Sequence, residues 1–160
     1  MSIELRDIAD GLRITLETMA ARELETGQPR DYDTTPTFAD ISAHIPLING
    51  DPACVVLTIP KAAALEIVRE IAGTDVVFED ALVADAVGEL LNMAVGTAQR
   101  HSTTSFNYSL PVIAKSEHHE VRVLEAGAQC VESRLGEHRI ALYLVRGISE
   151  NEVRQRALAP

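Results

Sequence analysis

Two polar residues in the middle of the chain have types and a spacing that could support chemistry. Glu89 and Asn92 stand three positions apart in the stretch Gly88-Glu-Leu-Leu-Asn-Met-Ala-Val-Gly96, whose composition is otherwise that of a helix. At about 100° per residue they project side by side from one helix face. A carboxylate can pair with a cation, and an uncharged amide can both donate and accept hydrogen bonds. Such a pair could position a water molecule against an anionic phosphoryl group.

The two faces of this predicted helix differ in composition. The outward stripe recurs at steps of four, three and four: Asp85, Glu89, Asn92 and Gly96. The opposite face should enter the core: Val83, Val87, Leu90, Leu91, Ala94 and Ala98. A solvated face is the simplest interpretation of the stripe. However, Asn is a mediocre residue inside a helix and Gly costs about 1 kcal/mol relative to Ala, which favours a surface that a partner approaches closely.

Asp85 and Glu89 could alternatively form a carboxylate pair for acid-base catalysis or metal binding. Two exposed carboxylates one helical turn apart, with no histidine on the stripe, make a weak site of either kind. We therefore expect this chain to bind no metal ion of its own. A catalyst whose site is completed by another protein needs no nucleophile or phosphate-binding loop, and neither is evident in the sequence.

The overall composition limits the class of partner. The chain has 160 residues, which suits one domain, and its formal net charge is -10. Nucleic acid and anionic membranes repel such a chain, and aromatic residues that could stack on bases are few (4%, no Trp). No apolar run approaches the roughly 18 residues that span a bilayer, and no signal-like segment begins the sequence. We therefore expect a cytoplasmic protein that binds neither nucleic acid nor membrane.

Apolar periodicity predicts three helices in the first two thirds of the chain. The first covers residues 4–24, with apolar positions at steps of three and four, and ends before Gly27. The second begins at Pro60, a favourable first helical position, and stops at Gly73. The third begins near Glu79 and carries the polar stripe.

Alternating apolar residues predict strands between and after these helices. The predicted strands are residues 38–48, 54–59, 106–114, 120–125, 129–135 and 138–145, and residues 28–37 form a loop. The first two strands should form a hairpin, and the last three a meander. We expect one domain over residues 1–148, followed by a polar tail over residues 149–160 that forms a loosely docked or frayed helix.

The sequence resembles the CheC, CheX and FliY phosphatases of bacterial chemotaxis, and CheX most closely. Asp85-x-x-x-Glu89-x-x-Asn92 matches the signature on the long helix of that family. The similarity extends to Leu16-Glu17-Thr18-Met19 in the first helix and to Ser109-Leu110-Pro111 after the signature helix. It implies an α+β fold of the CheC type, in which long helices pack on one face of a mostly antiparallel sheet.

This resemblance implies an enzyme that hydrolyses the aspartyl phosphate of a CheY-like response regulator. Asn92 would orient the attacking water, and Glu89 would contact the conserved lysine of the regulator. The Mg²⁺ would belong to the regulator, so the chain would need no cofactor of its own. Asp85, Gly96 and Pro111 are expected to contribute to binding the phosphorylated receiver domain.

The resemblance also bears on the number of sites. CheC-type members look like two copies of the motif helix, whereas here Glu17 is followed three residues later by Ala20, so a single site is implied. A homodimer formed through the sheets is implied as well. The segment between Asn92 and Pro111 is shorter than is usual in the family. This segment and the missing second motif favour an alternative, a non-catalytic module that binds a receiver domain or a flagellar-switch component.

Overall fold

Helices and strands alternate along the chain much as the apolar periodicity predicts. The computed structural model describes residues 3–32, 37–48, 50–115, 119–120 and 127–157. The helices are α1 (Leu5–Ala20), α2 (Lys61–Ala72), α3 (Ala81–His101) and α4 (Glu150–Ala157). The strands are β1 (Glu25–Thr26), β2 (Arg30–Tyr32), β3 (Thr37–Phe38), β4 (Ile41–Ile48), β5 (Ala53–Ile59), β6 (Asn107–Tyr108), β7 (Val112–Lys115), β8 (His119–Glu120), β9 (Ala128–Leu135) and β10 (His138–Arg146).

Eight of these strands form one antiparallel sheet. Its order is β1-β9-β10-β5-β4-β6, with β2 also beside β9 and β7 also beside β4. The predicted hairpin is present, since β4 pairs with β5, and the last two strands of the predicted meander also pair, β9 with β10, whereas Glu120 of β8 pairs with β3. The second hairpin turns at Gly136, whose φ of 60° lies in the left-handed region that favours glycine. The predicted strand 120–125 lies almost entirely outside the described residues.

The central strand β5 is buried on both sides because successive side chains of a strand point to opposite faces. Val55 and Leu57 belong to the main core beneath α1, α2 and α3. Val56 belongs instead to a second apolar cluster, which includes Val153 of α4 at 3% exposure. The predicted α+β class, with long helices on a mostly antiparallel sheet, is confirmed, and α4 adds a short helix on the opposite face.

Helices α1 and α3 approach each other closely, which fixes the orientation of α3. A Cβ built at Gly11 would lie only 2.4 Å from the carbonyl oxygen of Ala94. Glycine at this crossing therefore lets the two backbones meet. α1 ends at Ala20 rather than at the predicted residue 24, because Ala21 adopts a left-handed conformation with φ of 48°.

The start of α3 is held by polar contacts. The side chain of Asp80 accepts a hydrogen bond from the backbone N–H of Leu82 at 3.0 Å, which caps the helix. The ammonium group of Lys115 in β7 donates to the carbonyl oxygens of Phe78 and Asp80, at 2.5 and 3.3 Å. By length and composition alone α3 could cross a membrane, but 56% of its apolar window is buried inside the fold, as in the core helix of a soluble protein.

Three further segments differ from the sequence-based prediction. The predicted strand 38–48 is divided into β3, which pairs with β8 in a separate two-stranded sheet, and β4. The predicted loop 28–37 contains the edge strand β2, which is short and polar and so lacks an apolar alternation. The predicted strand 106–114 is divided into β6 and β7 by Ser109, Leu110 and Pro111. Pro111 has no N–H to donate to a neighbouring strand, which interrupts the ladder at this point.

Candidate functional site

The exposed face of α3 carries the two residues singled out from the sequence. Glu89 is exposed and Asn92 is half-buried, whereas Val87, Leu90 and Leu91 on the opposite face are fully buried. The periodicity of the apolar residues therefore places the two polar side chains as predicted. Since they stand three residues apart on a helix, they lie side by side on its surface.

Neither side chain is used within the part of the chain that the structure describes. In those residues, no hydrogen bond or ion pair engages the carboxylate of Glu89 or the amide of Asn92. The amide keeps its donors and its acceptor, and the carboxylate keeps its acceptor oxygens. Both groups are accordingly available to a second molecule.

Asp85 lies one turn before Glu89 and is likewise exposed. Leu82, one turn earlier still, is 41% exposed although it is apolar. Along α3 from its capped start, the exposed stripe is therefore first apolar, then acidic, and finally neutral at Asn92. Because the helix is rigid and its other side is packed in the core, the spacing of these groups is fixed before any partner arrives.

The segment that joins β6 to β7 lies along one side of this stripe. A Cβ built at Gly96 would be 3.0 Å from the hydroxyl oxygen of Tyr108. One built at Gly88 would be 3.4 Å from Cγ of Pro111. The segment thus runs antiparallel to α3 from Gly96 to Gly88 and passes Asn92, which is four residues from each glycine. The candidate site therefore consists of the exposed face of α3 and, along one side of it, residues 108–112, which we call the wall.

Gly96 has a different environment from the one expected. From the sequence, the missing side chain should leave open space for a partner. In the structure Gly96 is buried, and the space beside it holds the hydroxyl of Tyr108, with a guanidinium nitrogen of Arg100 at 3.8 Å from the Cβ position. The glycine therefore admits a neighbour from the same chain, and it shapes the wall of the site.

Pro111 occupies the corresponding position at the other end of the wall. It is half-buried, and with Cδ1 of Ile113, 3.1 Å from the Cβ position, it fills the space that Gly88 leaves free. Gly88 directly precedes Glu89 in α3. A side chain at position 88 would push the wall away from the helix, so this glycine sets how closely the wall borders the carboxylate.

The donor groups on the stripe do not form a metal site by themselves. Within the described residues, no three side chains of His, Cys, Asp or Glu converge as metal ligands would. The stripe itself offers only the exposed Asp85 and Glu89, one helical turn apart. A divalent cation at this surface would need most of its ligands from a second molecule.

Sequence reasoning missed a polar clamp that joins the C-terminal helix to the wall. The hydroxyl of Ser109 donates to Oε1 of Glu150 at 2.8 Å. Nη2 of Arg154 donates to the hydroxyl oxygen of Ser109 and to the same Oε1 of Glu150, both at 2.9 Å. The sequence predicts only a loosely docked or frayed helix here, and the one signal of the clamp is the spacing of Glu150 and Arg154 by four residues.

A family model described as chemotaxis phosphatase CheX matches residues 41–133, which is more than half of the chain. The matched region contains Glu89, Asn92 and the whole wall. Comparison with curated proteins gives no match.

Solved structures share the fold at low sequence identity. The chemotaxis protein CheX from Vibrio vulnificus is similar, with a TM-score of 0.79 at 24% identity over 88% of this chain and 97% of the other. A CheC-like superfamily protein from Shewanella sp. PV-4 gives 0.80 at 22% identity over 90% and 97%. The CheX-CheY-BeF₃-Mg²⁺ complex from Borrelia burgdorferi gives 0.71 at 16% identity over 90% and 98%.

Proposed function

The chain belongs to the CheX family of chemotaxis phosphatases, and from this premise we propose that it hydrolyses the aspartyl phosphate of a CheY-like receiver domain. The observation that carries the proposal is the outward pair of Glu89 and Asn92 on α3, which has no partner within the described residues. Both residues lie inside the region that matches the family. Their arrangement suits a half-site that another protein completes.

Asn92 positions the attacking water in the proposed reaction. The water oxygen attacks phosphorus in line with the bond to the aspartate of the receiver, and that P–O bond breaks to release inorganic phosphate and the free carboxylate. An amide can hold the water by hydrogen bonds and, being uncharged, is not repelled by the phosphoryl oxygens. Its backbone lies on a packed helix and is therefore fixed in position, which reduces the entropy lost on reaching the transition state.

Glu89 fixes the position of the partner in the proposed complex. Its carboxylate pairs with the lysine of the receiver active site and so sets the register of α3 against the phosphorylated aspartate. Asp85 continues the acidic surface one turn away, whereas Gly96 and Pro111 contribute by shaping the wall. Each of these residues lies on or beside the same stripe.

The Mg²⁺ required for phosphoryl transfer comes with the receiver in this proposal. The complex from Borrelia burgdorferi is described as containing CheY, BeF₃ and Mg²⁺, which supports a metal ion that travels with the partner. When bound to the receiver, this ion would supply charge neutralisation at the phosphoryl oxygens, and this chain would supply Asn92 and Glu89.

Two further features of the proposal concern the setting. We place the protein in the cytoplasm, where receiver domains are phosphorylated, and we propose that it forms a homodimer through its sheet, as the resemblance implies. The described sheet ends in the short strands β1 and β2 on one side and in β6 and β7 on the other. Sedimentation equilibrium over a range of concentrations tests the dimer, and a monomer at every concentration would contradict it.

The phosphatase activity is tested by mixing the protein with a phosphorylated CheY-like receiver and following release of phosphate. We expect the wild type to accelerate the loss, and Asn92→Ala to reduce that acceleration about 100-fold, because one positioned hydrogen-bonding group is removed. Glu70→Gln on α2 is the control for expression and folding. An unaccelerated reaction with wild type, or full acceleration by Asn92→Ala, would refute the mechanism.

The same mixture separates catalysis from mere binding. A non-catalytic module would bind the receiver equally well with and without phosphorylation and would leave its phosphate intact. The proposed enzyme instead binds the phosphorylated receiver, or a beryllofluoride mimic of it, more tightly than the unphosphorylated one, because Asn92 acts at the phosphoryl group itself.

A further inference from the structure

Leu110 is the most exposed large apolar residue of the described chain, at 75% exposure. It lies in the wall between Tyr108 and Pro111, beside the candidate site. A single exposed leucine on a mobile loop would need no explanation. This leucine, however, lies on a segment that is fixed on both sides.

The wall contains one residue more than the strand it pairs with. Leu47 is opposite Tyr108, and three residues earlier in β4 His44 is opposite Val112, four residues later in the wall. The extra residue makes a β-bulge, a feature common at sheet edges and next to active sites. Leu110 lies in this bulge and points neither into the core nor into a neighbouring strand.

Both flanks of the bulge are anchored on α3. Tyr108 packs at Gly96 and Pro111 packs at Gly88, so the residues between them are held alongside Asn92. The backbone N–H of Ser109 also donates to the carbonyl oxygen of Pro46 at 2.9 Å. Leu110 is consequently presented next to the site in a restricted position.

The C-terminal helix holds the bulge from the other side of the sheet. Ser109 donates to Glu150, while Arg154 donates to both of them, so the three side chains close a triangle of hydrogen bonds. The buried Val153 fixes α4 to the second apolar cluster. The clamp therefore joins a well-anchored helix to the residue that immediately precedes Leu110.

We propose that Leu110 is an apolar docking contact for the phosphorylated receiver domain, and that α4 positions it through the clamp on Ser109. This inference rests on the proposed function. The ionic contact of Glu89 with the receiver's lysine is partly opposed by repulsion, because the phosphoryl group has the same sign of charge as the carboxylates of Asp85 and Glu89. An apolar contact at the rim supplies affinity without that repulsion, and its fixed position reduces the entropy lost on binding.

The test measures the affinity of a CheY-like receiver, activated with beryllofluoride and Mg²⁺, for three forms of the full chain. We expect Leu110→Ala to weaken binding about 10-fold relative to wild type. Ile71→Ala is the matched control, since Ile71 is another exposed apolar residue (36%) and lies on α2, outside the wall and the stripe of α3. Ile71→Ala should bind like wild type.

The clamp is tested separately by Ser109→Ala and Arg154→Ala, with circular dichroism to confirm that each variant is folded. Both variants should weaken binding less than Leu110→Ala does. In turnover assays the clamp variants should raise KM, whereas Asn92→Ala should lower kcat. In combination with Leu110→Ala, either clamp variant should add little, because the clamp acts through Leu110. Full additivity would overturn the positioning role of α4.

The two proposals fail in different ways. If wild type binds the activated receiver and Leu110→Ala binds it equally well, the docking contact is refuted while the phosphatase proposal stands. If wild type neither binds the activated receiver nor releases its phosphate, the proposed function is refuted and the docking contact with it. If Leu110→Ala and Ile71→Ala weaken binding equally, the effect is not specific to the wall, and the docking contact is again refuted.

Discussion

The hydroxyl oxygen of Tyr108 lies 3.0 Å from the point that a Cβ would occupy at Gly96. This distance is shorter than most side-chain contacts, so an alanine at residue 96 would require the hydroxyl of Tyr108 to shift by a few tenths of an ångström. The glycine thus costs α3 helical propensity and in return lets the wall lie close to the helix beside Asn92. The lost helix propensity is therefore offset by a contact within the chain, whether or not a partner is bound.

Gly96→Ala and Tyr108→Phe should therefore be coupled in stability. In the wild type, the alanine gains up to about 1 kcal/mol of helix propensity but displaces the tyrosine hydroxyl. In the Tyr108→Phe protein that hydroxyl is absent, so the same alanine should stabilise by about 0.5–1 kcal/mol. Urea denaturation of the four proteins measures the coupling, and purely additive free energies would contradict the proposed contact.

The outward position of Glu89 and Asn92 could be predicted because it depends only on the periodicity of one helix. The core residues Val87, Leu90 and Leu91 lie on the opposite side, and the alternation along the chain also gave the two hairpins. These features are local, so the spacing of apolar residues determines them.

The wall could not be predicted because it depends on contacts between distant segments. The one-residue shift in pairing between β4 and the wall has no signature in either segment alone. The same holds for the clamp, in which Ser109 meets Glu150 and Arg154 from 41 and 45 residues away. From the sequence alone, polar residues in a hydrophilic tail cannot be distinguished from those of a solvated helix, because only the fold shows which residues they contact.

Glu89→Gln should weaken binding of an activated receiver by reducing an ionic contact to a neutral one. We expect a loss of about 10-fold at low ionic strength, because charge-assisted hydrogen bonds are about twice as strong as neutral ones. The loss should shrink as salt is added, since salt screens the wild-type pair. Glu70→Gln on α2 changes the net charge equally and should bind like wild type. An equal loss in both variants would indicate a general charge effect.

Gly11→Ala should destabilise the fold by about 2 kcal/mol. The new Cβ would meet a backbone oxygen of Ala94 at 2.4 Å, and a backbone cannot rotate away as a flexible side chain can. α1 and α3 would have to separate, which outweighs the better helix propensity of alanine. Gly50→Ala is the control, because a Cβ there has no neighbour within 4 Å among the described residues. Equal midpoints of urea denaturation for the two variants would contradict the close crossing.

Glu66 should make stability depend on pH in the acid range. The hydrogen bond with the imidazole of His138, at 2.9 Å, and the contact with the guanidinium of Arg22, at 3.2 Å, hold the pKa of this carboxyl below its ordinary value of 4.5. A lowered pKa in the folded state means that the stabilisation is complete above about pH 4.5 and is lost as the pH falls through the folded-state value.

Glu66→Gln should consequently be less stable than wild type at neutral pH, and the difference should vanish on acidification. Since 39% of the Glu66 side chain is exposed, solvent screening limits the difference to about 0.2–1 kcal/mol. Thermal denaturation between pH 7 and pH 3 measures it, with Glu70→Gln on the same helix as the control. A difference that does not shrink at all as the pH falls would assign the effect to packing, because protonation of Glu66 removes only its ionic contacts.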